Sequence, residues 1–107
     1  MNREAFFQKP DKPRTIDIPL EDGRTVKARK LTQAEVETLK KRYATPDKAL
    51  EGLRYIVCRT VVDDDGERVF SDDDQARMAD VDFDVIQTIA SEVVEFSGLG
   101  ERDAKKR

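Results

Sequence analysis

Two acidic runs, Asp63-Asp64-Asp65-Gly66 and Asp72-Asp73-Asp74, carry the side chains best able to do chemistry, since clustered carboxylates can hold a hard cation. Tested by position, the first run fails as a calcium loop. With Gly66 at the sixth place, Val61 falls on the first ligand position and has no oxygen to offer. Arg68 lands on the eighth, where an apolar residue belongs, and only Asp63, Asp65 and Asp72 still fit. An Asp-Gly turn between helix caps accounts for the same residues. Acids in a helix's first turn are favoured by its dipole, which accounts for the second run. Nucleophilic chemistry has less to work with. The chain has no His, and its single Cys58 lies beside an apolar helical stripe with no base to activate it, the setting of a small core residue. No Gly-rich phosphate loop and no metal-spaced His/Cys cluster occurs. The reading is therefore of a protein that is not an enzyme, with no catalytic residue, no cofactor and no metal.

The remaining candidates concern binding. Lys27, Arg29, Lys30 and Lys40-Lys41-Arg42 form a basic patch that could touch phosphates. A chain of net charge −3 with 7% aromatic residues is a poor nucleic-acid binder, so this patch supports only an alternative, a small regulatory or nucleic-acid-binding protein using residues 27–42. Charge is unevenly placed along the chain. Residues 1–60 carry 14 Lys and Arg against 9 Asp and Glu, whereas residues 61–107 carry 6 against 14. A basic front and an acidic back can attract each other within one fold or between copies. Apolar residues at the ends of the ordered region, Phe6, Phe7, Phe96 and Leu99, are the candidate partner-binding residues, because core packing demands least of them there.

The elements that must position these groups can be read in order. Residues 1–13 form a flexible arm, 14–99 a single α+β domain, and 100–107 a charged C-terminal tail. A chain of 107 residues is long enough to bury roughly 65% of its unfolded surface and needs no staples. A lone Cys cannot pair internally, nothing resembles a signal peptide, and no apolar run is long enough to span a membrane.

Ile16, Ile18 and Leu20 alternate with polar neighbours, as do Val26 and Ala28, so an N-terminal β-hairpin is expected. A two-residue turn would set Ile18 against Lys27. A three-residue Glu21-Asp22-Gly23 loop with left-handed Gly23 sets Ile18 opposite Val26 and Ile16 opposite Ala28, which matches the apolar faces. Pro19 lacks a donor and makes the first strand an edge.

Three to four short helices follow. Thr32 and Glu35 form a capping box for a helix over 33–43, with Val36, Leu39 and Tyr43 on one face. Thr45-Pro46 opens a second over 46–62, striped by Leu50, Leu53, Ile56, Val57 and Val61. Ser71 and Asp74 cap a short third helix. A last helix over 83–96 shows Val85, Ile86, Ile89, Ala90, Val93 and Val94, then ends at Gly98 with Leu99 folded back. Leu53, Val57, Ile86, Ile89 and Val93 are expected at the centre of the core.

From Phe6 to Gly100 the chain resembles the tail assembly chaperones of long-tailed bacteriophages and prophages. The resemblance lies in the hairpin Ile16-Asp17-Ile18, Asp22-Gly23 and Val26-Lys27-Ala28-Arg29, and in the helix start Leu31-Thr32-x-x-Glu35. It continues in Val62-Asp63-x-Asp65-Gly66-x-x-x-Phe70-x-Asp72 and in the closing Ser97-Gly98-Leu99. Tail-completion proteins and head–tail connectors share this outline. The resemblance implies a non-enzymatic protein of the bacterial host's cytoplasm that binds the tape measure protein during tail morphogenesis, until tail tube protein polymerises around it. In such families a longer frameshifted form often adds a second domain; self-association is expected from the unlike charge of the chain's front and back and its apolar ends. The resemblance maps no binding residue one by one and implies no membrane partner.

The register argument is open to direct measurement. Gly23→Val is expected to lower stability by about 1–2 kcal/mol, because a β-branched residue resists positive φ. A urea melt indistinguishable from that of the parent would refute the three-residue loop.

Overall fold

The computed structural model describes residues 1–8 and 14–99. Residues 9–13 of the expected arm and the expected tail 100–107 lie outside the described residues. The elements are α1 (Arg3–Phe7), β1 (Thr15–Pro19), β2 (Thr25–Arg29), α2 (Gln33–Arg42), α3 (Ala49–Thr60), β3 (Val61–Val62), α4 (Asp74–Arg77) and α5 (Phe83–Phe96). Short 3₁₀ turns at Pro46–Lys48 and Met78–Asp80 lead into α3 and out of α4. The architecture is α+β, with helices packed on a three-stranded antiparallel sheet of order β1-β2-β3.

The hairpin takes the expected register. Ile18 pairs with Val26 and Ile16 with Ala28, and β1 is an edge strand. Leu20 and Arg24 close a three-residue loop, the Leu20 amide donating to the Arg24 carbonyl at 2.8 Å. Gly23 stands at φ +92° with open space around its missing Cβ, so backbone conformation alone requires glycine there.

The expected second helix ends early. α3 stops at Thr60, and Val61 and Val62 form β3, pairing with Ala28 and Lys27 of β2. Two adjacent β-branched residues suit an extended chain, and β2 offers them a ladder that a further half-turn of helix could not. Both valines are buried there. The chain then turns through Asp63–Gly66, with Gly66 at φ +84°, and Val62 bridges Arg68. A second departure is α1, five residues capped by the Asn2 side chain, which accepts from the Ala5 amide at 2.8 Å. The arm reading held no helix, and α1 buries none of its residues.

α5 matches its expected span. Its C-terminus is closed by backbone bonds from Gly98 N–H to Glu95 O at 3.0 Å and from Leu99 N–H to Val94 O at 3.0 Å, with Gly98 left-handed. Ile86, Ile89, Ala90 and Val93 are buried against Ile56 and Val57 of α3 and Ile18 and Ala28 of the sheet. Leu53, expected at the centre, lies at the margin of this cluster and is only partly buried.

Among the described residues, one charged group is buried with the core. Glu35, the reciprocal half of the capping box, is 2% exposed. Its two carboxylate oxygens accept a fork from Arg29 at 2.9 and 2.8 Å, a third bond from Arg59 Nε at 2.9 Å and a fourth from the Thr32 amide at 2.9 Å. Arg29 also donates to the carbonyls of Lys30 and Arg59, both at 2.7 Å. Arg59 reaches on to Asp72, which accepts a bond from Arg68 at 2.8 Å. Strand β2, helices α2 and α3 and the Asp63–Asp73 segment are thus joined through three guanidinium groups around Glu35 and Asp72.

Burial pushes the Glu35 carboxyl up, but the bonds from Arg29, Thr32 and Arg59 outweigh it and bring the pKa from the ordinary 4.5 down to about 2. A folded pKa below the unfolded one means stability that is complete above pH 4.5 and lost as pH falls toward 2. The contribution is on the order of 3 kcal/mol at neutral pH. Glu35→Gln is expected to cost roughly 2–4 kcal/mol at pH 7 and to flatten the acid limb of a stability–pH curve. An acid limb as steep in the variant as in the parent would assign that loss to other carboxylates.

Candidate interaction surface

The groups considered for metal and nucleophile chemistry have structural work. The Asp63 carboxylate accepts from the amides of Asp65 at 2.9 Å and Glu67 at 3.0 Å, which holds the turn. Asp74 accepts from the Ser71 amide at 2.9 Å, one half of the expected capping pair, while α4 itself starts behind Asp73 with no side-chain cap bond. Among the described residues, no group of three or more His, Cys, Asp or Glu is placed to hold a metal ion. Cys58 is 1% exposed and its thiol donates to the Ser71 carbonyl at 3.0 Å. Burial pushes that thiol up against the opposing pull of Arg68.

The basic patch is broken up. Arg29 is spent on Glu35, and Lys27 pairs with Asp17 at 3.5 Å and Asp64 at 3.9 Å. Lys30 lies over the Phe96 ring, 5.2 Å from its centroid. Lys40, Lys41 and Arg42 stand exposed together at the end of α2, where their charge suits the helix's C-terminal dipole.

Among the described residues, and apart from Met1 and the isolated Val69, exposed apolar side chains gather at three places, of which sequence reasoning anticipated two. Phe96 and Leu99 occupy the C-terminal end of α5. Phe96 is partly buried beneath Arg14 and Lys30, and Leu99 is half exposed beyond the Gly98 cap. The Leu31 amide donates to Ser97 Oγ at 2.9 Å and ties this end to the chain leaving β2. Phe6 and Phe7 are elsewhere, on α1, where they are 69% and 70% exposed and meet edge to face at 5.1 Å. The structure therefore places the four candidate residues in two separate pairs.

The third place went unread. Leu50, Val81 and Phe83 are each more than 40% exposed and, with Leu53, Met78 and Ile86, line a groove of about 170 Å³ between the first turns of α3 and α5. Met78 and Val81 also line a neighbouring depression floored by Phe70. Leu50 sits on the same helical stripe as Ile56 and Val57, and the stripe simply runs one turn past the point where the core ends. The signal available was Val81-Asp82-Phe83, two large apolar residues bracketing an acid at a helix start.

The two ends of α5 differ in charge. Asp82 and Asp84 stand at its start, facing Glu21 and Asp22 of the hairpin tip across a shallow cleft. Arg14 and Lys30 stand at its finish. Each sign compensates the helix dipole at its own end. The result is a groove with an acidic rim at one pole and an apolar patch with a basic rim at the other.

No family model matches the chain, and no curated protein matches it. Among solved structures, the fold is similar to that of the bacteriophage HK97 tail assembly chaperone, with a TM-score of 0.64 over 77% of this chain and 83% of that one. Identity between the two is 13%, so the likeness establishes the fold. Among the described residues, no helix is long and apolar enough to cross a membrane.

The exposed groove yields a simple expectation. Phe83→Ser should cost about 1 kcal/mol or less, since over half of the side chain is already in water, yet should clearly lower the fluorescence of an apolar-surface dye such as ANS. Unchanged dye fluorescence would place the accessible apolar surface elsewhere.

Proposed function

We propose that this protein is a non-enzymatic tail assembly chaperone of a long-tailed phage or prophage. It binds the tape measure protein and associates with itself during tail morphogenesis in the host cytoplasm. The working unit is the domain of residues 14–99, with the arm and tail as appendages. The observation that carries this reading is the shared fold with the HK97 tail assembly chaperone over most of both chains. The two poles of α5 support it from the physics. Apolar patches rimmed by opposite charge suit an elongated helical client, and they favour head-to-tail contact between copies over closed two-fold dimers. The residues proposed for contact remain Phe6, Phe7, Phe96 and Leu99, joined now by Leu50, Val81 and Phe83 of the groove. The nucleic-acid alternative is weakened by the engagement of Lys27, Arg29 and Lys30 within the fold.

Co-expression with the tape measure protein of the same genome tests the reading. The expected result is a soluble complex that co-purifies at low salt and loosens as salt screens the charged rims. A client that stays insoluble and never co-purifies at low or moderate salt would sink the chaperone role.

A further inference from the structure

We propose that the Phe6-Phe7 arm of one copy seats in the Leu50–Val81–Phe83 groove of a second copy, linking copies pole to pole. This inference rests on the self-association part of the reading above and gives it a specific contact. Two adjacent phenylalanines, each about 70% exposed on a helix that buries nothing, are costly to leave in water, and an open apolar groove lacks something to fill it.

Charge pairs the two. Residues 1–14 carry four Lys and Arg against two Asp and Glu, and Asp80, Asp82 and Asp84 at the groove end have no ion-pair partner among the described residues. The groove wall also holds an unmet hydrogen-bond donor. Arg54 Nε is buried with no acceptor, and a carbonyl or carboxylate brought in by the arm would satisfy it.

Geometry favours a neighbour's groove over the chain's own. Arg14, where the arm joins the domain, lies at the Phe96 pole, 5.7 Å from that ring. The groove opens at the Phe83 pole, and the 14 residues of α5 between them span about 20 Å. The seven steps from Phe7 to Arg14 reach at most about 24 Å when fully stretched. Its own groove would demand nearly complete extension along the domain, whereas a copy stacked end to end presents its groove beside the arm. The contact is heterologous, so it builds rings or open arrays.

Site-directed cross-linking tests this. One copy carries Gln8→Cys and a second, differently tagged copy carries Ala79→Cys, so both phenylalanines and the large apolar residues of the groove stay intact and only its small Ala79 changes; native Cys58 is buried. Mild oxidation of the mixture should give a disulfide between the two tags, and adding Phe6→Ser and Phe7→Ser to the first copy should abolish it. In sedimentation velocity the double serine variant should raise the dissociation constant for self-association roughly tenfold or more. Two results overturn the proposal: no cross-link between tags, or a chain carrying both cysteines that closes only on itself. The client co-expression assay reads the wider function separately. A cross-link without client binding removes the chaperone role and keeps the arm contact, and client binding without a cross-link does the reverse.

Discussion

A single carboxylate held between two guanidinium groups organises this fold. Moving an ionised Glu35 out of water costs several kcal/mol, and only an almost complete set of donors repays that. Arg29, Arg59 and the Thr32 amide supply the set. The arrangement matters most for α2, whose one fully buried residue is this charged one. Val36, Leu39 and Tyr43 cover only part of its inner face. The helix is therefore fastened to the domain chiefly by ions, unlike α5, which is fastened by four buried apolar side chains. The same guanidinium that forks to Glu35 also receives the end of α3, because Arg59's carbonyl bonds to Arg29. This contact helps set where helix gives way to the short strand that follows.

That junction in turn fixes the polarity of the molecule. α3 and α5 begin at one pole, where Leu50 and Leu53 meet Phe83 and Ile86. They finish at the other, where Arg59 approaches Arg29, and Ser97 accepts from Leu31. Two helices of like direction leave two unlike poles. Acids gather where the helices start and bases where they end, as the backbone dipoles favour.

Much of the fold was legible because its signals are local. The hairpin register followed from matching Ile18 to Val26, the α2 start from Thr32 and Glu35, and the whole of α5 from its apolar spacing and Gly98. What escaped was set by distant partners. Val61 and Val62 extend a helical stripe in sequence, and only the presence of β2 converts them to strand. Arg29, Glu35 and Arg59 are 6 and 24 residues apart in their pairs, and no periodicity links them. Glu35 read as a cap, which it is, but capping alone gave no reason to bury it. The groove was hidden for a related reason. A stripe shows which side chains face inward, not how far along the helix something waits to meet them.

The sheet's margins have a consequence for how this protein can grow. In β1 the residues bonded to β2 are those in step with Leu20, so Thr15, Asp17 and Pro19 turn their backbone outward. Proline has no N–H, which removes one of three donors from that rim. At the opposite margin β3 is two residues long and its Val62 is already bridged to Arg68. Both margins are thereby blunted against a further strand, one by its proline and the other by its shortness and its bridge. Contacts between copies would therefore run through side chains, which salt can loosen, and not through backbone.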